Sequence, residues 1–283
     1  AYEIRLSLVG SEMCIRDRPQ VYRFNYKAFE QTWLEQVKYI NEMGAGRVKD
    51  WPQEGICSAP VVKGKRLYYC SNRCEVICAT TEGLDGKTNE GVKDEQYNGK
   101  GNADIVWRYD MIAEDSVFPH NLTTCSPLIV GDTLFVSTGY DTGCALFRLE
   151  GVDKLTEIYR HKSMRNHMNA CVLDQGVLYG IDGNSHNART CKLVAMDLES
   201  GEELWAHREF GCGSVLGSGD ALLVLSDDGS LIAAEASREG FREKSRYPIL
   251  EGRCWTVPTL IGRTIFARNA AGNLVAVELP GIE

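Results

Sequence analysis

The sequence is poor in basic charge. Lys and Arg number 31 against 39 Asp and Glu, for a net charge of −8, and no basic stripe runs along any segment. A protein that binds phosphate backbones needs such a stripe, so nucleic acid is not an expected partner. Long apolar runs are also lacking. No stretch approaches the roughly 20 residues that cross a bilayer as a helix, so no membrane span is expected. There is no Gly-x-Ser-x-Gly elbow, no phosphate-binding loop, no dinucleotide fingerprint and no Cys-x-x-Cys-His haem attachment, which leaves the familiar nucleophile and nucleotide chemistries without a carrier. What is present is a chain of 283 residues, 43% apolar, enough for a large core. Its 28 glycines and recurrent turn dipeptides lean to an all-β fold.

Residues 1–18 show neither a helical nor a strand period. Their short apolar run is broken by Arg5, Ser7 and Glu12, which does not make a secretory signal. Ala1–Ile4 and Leu8–Asp17 resemble a translated sequencing adapter, with Arg5–Ser7 as its index. On that reading the first 18 residues are disordered, the gene's own sequence starts near Pro19, and Cys14 is set aside. Residues 19–50 read as a weak strand, 20–26, followed by a helix over 25–44. In that helix Tyr26, Phe29, Trp33, Val37 and Ile40 share one face.

From residue 51 onward an internal repeat organises the chain. Five segments, 58–83, 125–151, 170–201, 214–240 and 256–281, share one rhythm: an apolar run, a Gly turn, a β-rich run, a polar turn and a third apolar run. The anchors Leu67, Leu134, Leu178, Leu222 and Ile265 stand 67, 44, 44 and 43 residues apart. The long first interval contains a polar, Gly-rich insertion, 84–104, with too few large aliphatics to order itself, which predicts a flexible segment. A fourth strand follows in "DIVWRYD", "KLTEIYRH", "EELWAHRE" and "FREKSRYP". A period near 44 with four short strands predicts a β-propeller of four-stranded antiparallel blades. Blades are expected over 57–110, 125–161, 170–208, 213–249 and 255–281. The last lacks its fourth strand, which predicts four full blades and a partial one.

"LVAMDLESGEELW" (193–205) resembles the repeat of quinoprotein-type, PQQ-like β-propellers, in which an Ala, an Asp, a Gly turn and a Trp recur. Ala195, Asp197, Ser200, Gly201 and Trp205 fill it here. Asp197 can accept backbone N–H groups of its turn, Gly201 suits a positive φ, and Trp205 can dock between blades. Trp107 and Tyr159 hold the aromatic position in the first and second blades, and the fourth lacks it. The family includes quinone-dependent alcohol dehydrogenases and the lipoprotein propeller of outer-membrane barrel assembly. The resemblance implies a bacterial protein of the periplasm or cell envelope. The dehydrogenases carry adjacent cysteines, a calcium and a catalytic Asp. This sequence has no Cys-Cys pair, and no calcium or catalytic position can be matched. No catalytic, cofactor or metal residue is therefore expected, with pyrroloquinoline quinone and calcium as the alternative. The expected role is a non-catalytic scaffold that binds a protein or small molecule. A dehydrogenase-like fragment and a glycan-binding module are the alternatives.

Propeller topology gathers the turns between second and third strands, together with the blade-to-blade links, on one face. Asn72, Arg73, His120, Asn121, Asn166, His167, Arg253 and Trp255 fall there, which marks that face as the candidate binding surface. Hairpin turns account fully for Asp182-Gly183 and Asp228-Gly229 and less well for His120, His167, Arg253 and Trp255. Cys70, Cys74 and Cys78 are spaced as Cys-x3-Cys-x3-Cys, whereas a metal site more usually offers Cys-x2-Cys. They read first as small apolar filler and next as a disulfide across the hairpin.

Overall fold

The computed structural model describes residues 58–279, apart from 72–73, 87–88, 94–98, 101, 118–124 and 152–153. The adapter-like segment, the strand and helix read over 20–44, and the candidates Asn72, Arg73, His120 and Asn121 lie outside the described residues.

Five antiparallel sheets follow one another along the chain, and in each the strands lie side by side in chain order. The first is β1 (Val61–Lys63), β2 (Arg66–Cys70), β3 (Glu75–Thr80) and β4 (Ile105–Asp110). The second is β5 (Leu128–Val130), β6 (Thr133–Thr138), β7 (Gly143–Glu150) and β8 (Lys154–His161). The third is β9 (Val172–Asp174), β10 (Val177–Asp182), β11 (Lys192–Asp197) and β12 (Glu203–His207). The fourth is β13 (Ser214–Ser218), β14 (Ala221–Leu225), β15 (Ser230–Glu235) and β16 (Arg242–Pro248). The fifth has three strands, β17 (Thr259–Ile261), β18 (Thr264–Arg268) and β19 (Leu274–Glu278). Four sheets are complete and one is partial, as the repeat predicts.

The strands do not alternate apolar with polar residues because both faces of a blade are covered. In the second sheet Leu134 and Val136 pack toward the first sheet, against Tyr68, Trp107 and Val76. Phe135, one residue along, packs toward the third, against Leu178, Val194 and Met196. The third sheet does the same. Leu178 faces back, while Val177, Tyr179 and Ile181 meet Val215, Leu222 and Val224 of the fourth. Leu223 and Leu231 then meet Ile265 of the fifth. The core is thus a series of dry layers between sheets. A register shift recurs between the third and fourth strands of every complete sheet, at Cys78/Ala79, Leu146/Phe147, Ala195/Met196 and Ala233/Ala234. Such bulges add twist where the sheet meets solvent.

Two features were not legible as elements. After β4 the chain forms a short helix, α1 (Met111–Asp115). The carboxylate of Asp110 caps it by accepting from the N–H groups of Ile112 and Ala113 at 2.9 and 3.1 Å. The described part of the 84–104 insertion is tied to its blade. Leu84 N donates to Asn102 O, Val92 N donates to Ile105 O, and Glu90 N donates to the buried carboxylate of Asp104.

Candidate functional site

The repeat motif builds the joints between blades. Asp197 Oδ1 accepts from the N–H groups of Glu199 and Ser200 at 3.1 and 3.0 Å, which closes the turn, and its Oδ2 pairs with Arg238 of the next blade at 2.6 Å. The Arg238 guanidinium and the turn's N–H groups hold the carboxyl down at about 2. Gly201 sits at φ +72°, and a Cβ there would lie 2.3 Å from the His161 ring of the preceding blade, so only glycine fits. Trp205 packs beside Tyr179 and Phe241, and its indole N–H donates to Ser237 O of the fourth blade at 2.8 Å. Tyr159 does the same one blade earlier, its hydroxyl donating to Leu198 O at 2.8 Å. Trp107 is buried beside Tyr68 in the layer between the first two blades. Ala195 is fully buried in β11 opposite Trp205.

The face with the second-to-third-strand turns and the links carries a cluster between the second and third blades. Tyr140 and Asp141 stand in the β6–β7 turn at φ +54° and +64°, a strained region for residues with a side chain. Asn184 from the next blade accepts the Tyr140 N–H at 2.7 Å and so holds the turn. The Tyr140 ring meets His167 edge-on at 4.7 Å and stacks on His186 at 5.7 Å. Desolvation pushes its phenol above the ordinary value. His167 Nδ1 accepts the Ser185 N–H at 2.9 Å, which fixes the ring's orientation. Beside them Arg165 forks onto Asp182 at 2.8 and 2.9 Å and reaches Asp141 at 2.8 Å. Asp182 is 1% exposed and also accepts the Arg165 backbone N–H at 2.8 Å.

The structure therefore brings His167 into a surface cluster that also includes Tyr140, Asp141, Arg165 and His186. Asn166 belongs to the scaffold: it is 3% exposed, and its amide donates to Ile181 O at 3.0 Å and accepts from the Cys171 thiol. Arg253 and Trp255 form a separate pair two blades on, the guanidinium 4.7 Å from the indole centroid. The Trp255 ring is half-buried against the layer between the third and fourth blades. Arg165 and Asp182 were missed because a fork between a link and a strand 17 residues later has no sequence spacing of its own. Tyr140 was missed because a tyrosine in a turn resembles any other turn residue.

Pyrroloquinoline quinone with calcium can be tested against this face. The cavity lined by His167, Met168, Asn169, Ile181, Gly183, Cys212 and Gly213 holds about 10 Å³, room for one water. Among the described residues no three His, Cys, Asp or Glu side chains converge as metal ligands. That cavity is too small for a quinone. Nor is any helix among them long and apolar enough to cross a membrane.

Stacked four-stranded blades, joined by aromatic docking and Asp–Gly turns, define a β-propeller of the PQQ-like repeat class. The family described as outer membrane protein assembly factor BamB matches residues 35–245, and the chain belongs to it. No curated protein matches. Among solved structures, the computationally designed Ika8 protein superposes with a TM-score of 0.52 at 7% identity, over 78% of this chain and 57% of its own. A quinohemoprotein alcohol dehydrogenase from Pseudomonas putida HK5 gives 0.52 at 11%, over 79% of this chain and 40% of its own. BamB from Moraxella catarrhalis gives 0.49 at 13%, over 78% of this chain and 71% of its own. At these identities the likeness to the designed protein and the dehydrogenase is one of fold. The chain spans just over half of the designed protein and less than half of the dehydrogenase.

Proposed function

We propose that this chain is a non-catalytic binding scaffold of the bacterial periplasm or cell envelope. It engages a protein partner through the face that bears Tyr140, Asp141, Arg165, His167 and His186. The observation that carries the proposal is the strained Tyr140–Asp141 turn. It holds an aromatic ring and a carboxylate at the surface, clamped from behind by Asn184 and the Arg165–Asp182 fork. A pre-ordered group of rings and charges suits recognition of a polypeptide, because little entropy is lost when it binds. The family's description as an assembly factor for outer-membrane proteins favours a polypeptide over a small molecule or a glycan. The proposal includes no quinone cofactor.

Two measurements test it. Binding of an unfolded outer-membrane β-barrel polypeptide is compared between the wild-type chain and Tyr140→Ala. A loss of about tenfold or more in affinity with unchanged thermal stability supports the proposal; unchanged affinity refutes this face. In parallel, pyrroloquinoline quinone and calcium are titrated into the chain and an alcohol panel is followed by dye reduction. No binding and no turnover are expected, and stoichiometric binding with turnover would establish the dehydrogenase alternative.

A further inference from the structure

Cysteines recur at the blade boundaries in pairs. Cys70, the last residue of β2 in the first blade, lies with its Sγ 3.3 Å from that of Cys125, three residues before β5 of the second blade. Cys191, immediately before β11 of the third blade, lies with its Sγ 3.3 Å from that of Cys212, two residues before β13 of the fourth. The two pairs are similarly placed, although Cys70 ends a second strand and Cys191 precedes a third. In each, one cysteine stands at the turn end of a blade's middle strands, and the other stands on the link that opens the next blade. All four are buried, at 0, 5, 1 and 3% exposure. At 3.3 Å the sulfurs are closer than packing of two apolar side chains requires, and a side-chain rotation of little more than 1 Å would bring them to bonding distance, about 2.05 Å. The fourth boundary is an internal contrast. Cys254 stands on its link, but the facing turn of the fourth blade reads Ser226-Asp227-Asp228-Gly229 and offers no cysteine.

We infer that Cys70–Cys125 and Cys191–Cys212 are sites of disulfide formation that tie the first blade to the second and the third to the fourth. The inference stands apart from the choice of partner and needs only an oxidising compartment. The chemistry is thiol–disulfide exchange with a dithiol-forming oxidant, either a small disulfide or an oxidoreductase disulfide. One protein thiolate attacks an oxidant sulfur and expels its partner thiolate. The second protein thiol, deprotonated, then attacks the mixed disulfide and expels the other. Two protein thiols lose two protons and two electrons, and the oxidant becomes two thiols. In the second pair either sulfur could donate across the 3.3 Å contact; the contact lowers the pKa of Cys191 and raises that of Cys212, so Cys191 suits the role of attacking thiolate. The closed loops span 55 and 21 residues of sequence separation. Both constrain the unfolded chain, and each also fastens a boundary that otherwise relies on side-chain packing.

The test uses the chain refolded with oxidised and reduced glutathione. Free thiols are alkylated in denaturant, the protein is digested without reductant, and the peptides are weighed. Peptides linked through Cys70–Cys125 and Cys191–Cys212 are expected, each 2 Da below the sum of its halves, with Cys78, Cys144, Cys171 and Cys254 alkylated. Dithiothreitol should lower the Tm by about 5–15 °C, and the Cys70→Ser/Cys191→Ser variant should lose that sensitivity. Alkylation of all four cysteines in the oxidised sample would overturn the inference. So would a dominant Cys70–Cys74 link. The absence of one linked peptide overturns the claim for that boundary. Because the peptide map is made on the wild-type chain, failure of the variant to fold leaves the test intact.

Discussion

At the scale of single residues, the repeat motif works by reaching into the next blade. Asp197 is the clearest case, because its carboxylate closes its own turn and pairs with Arg238 across the boundary. Its pKa falls from 3.8 to about 2 on folding. A depressed carboxylate contributes stability that is complete above the unfolded pKa and is lost as pH falls through the folded one. The contribution of Asp197 should therefore disappear between about pH 4 and pH 2. Asp197→Asn should cost about 1–2 kcal/mol at pH 7, discounted because Arg238 is half-exposed. Its urea midpoint should then approach that of the wild type as pH drops to 2. An unchanged gap at low pH would show that the charge is not what matters. Trp205 acts by area and by one hydrogen bond. A buried Trp→Ala costs about 3–5 kcal/mol. Trp205 is only partly buried, so about 2–4 kcal/mol is expected for Trp205→Ala. Trp205→Phe should lose about 1 kcal/mol, the bond to Ser237 O. Equal losses in the two variants would mean that the ring contributes nothing by packing.

At the scale of elements, the links are held as firmly as the strands. The link between the second and third blades hangs on Arg165 and Asp182, one side chain partly exposed and the other sealed. Removing the guanidinium leaves a carboxylate in the interior whose remaining partner among the described residues is the Arg165 backbone N–H. Arg165→Ala should therefore cost about 3 kcal/mol, more than an exposed ion pair is worth. The same change should free the Asp141 turn, seen as faster hydrogen exchange at residues 139–142. Stability within about 0.5 kcal/mol of wild type would show that the fork is incidental. This network was invisible in the sequence for a plain reason. Asp182-Gly183 reads as a hairpin turn, and a turn explains an aspartate without reference to any arginine. Asn166 was mistaken for a surface group on the same ground, since an amide in a polar link gives no sign that it faces inward.

At the scale of the whole molecule, each layer of core is shared by two sheets, so a sheet is stable only with neighbours. In the fifth sheet Leu260, Ile265 and Val277 pack on the fourth. The opposite face carries Ile261, Phe266 and Leu274, at 64, 36 and 68% exposure. An apolar sheet face of this kind drives association. The chain should self-associate with rising concentration, and Ile261→Lys/Leu274→Lys should abolish this without lowering the Tm by more than a few degrees. Light scattering coupled to size exclusion would show it. A wild-type monomer at all concentrations would mean that this face is covered.

The architecture was readable because it repeats. Apolar anchors near 44 residues apart, Gly turns between runs and "AMDLESGEELW" state the same instruction several times, and a blade follows from local periodicity and turn chemistry alone. Ala195, Asp197, Gly201 and Trp205 could be assigned their roles from that segment. Which residues meet across a boundary is a different kind of information. Cys70 with Cys125, Arg165 with Asp182, and Tyr140 with His167 and His186 are set by how far one sheet is rotated on the next. That rotation comes from packing the layers of Leu, Val, Ile and Phe between them, and no spacing along the chain encodes it.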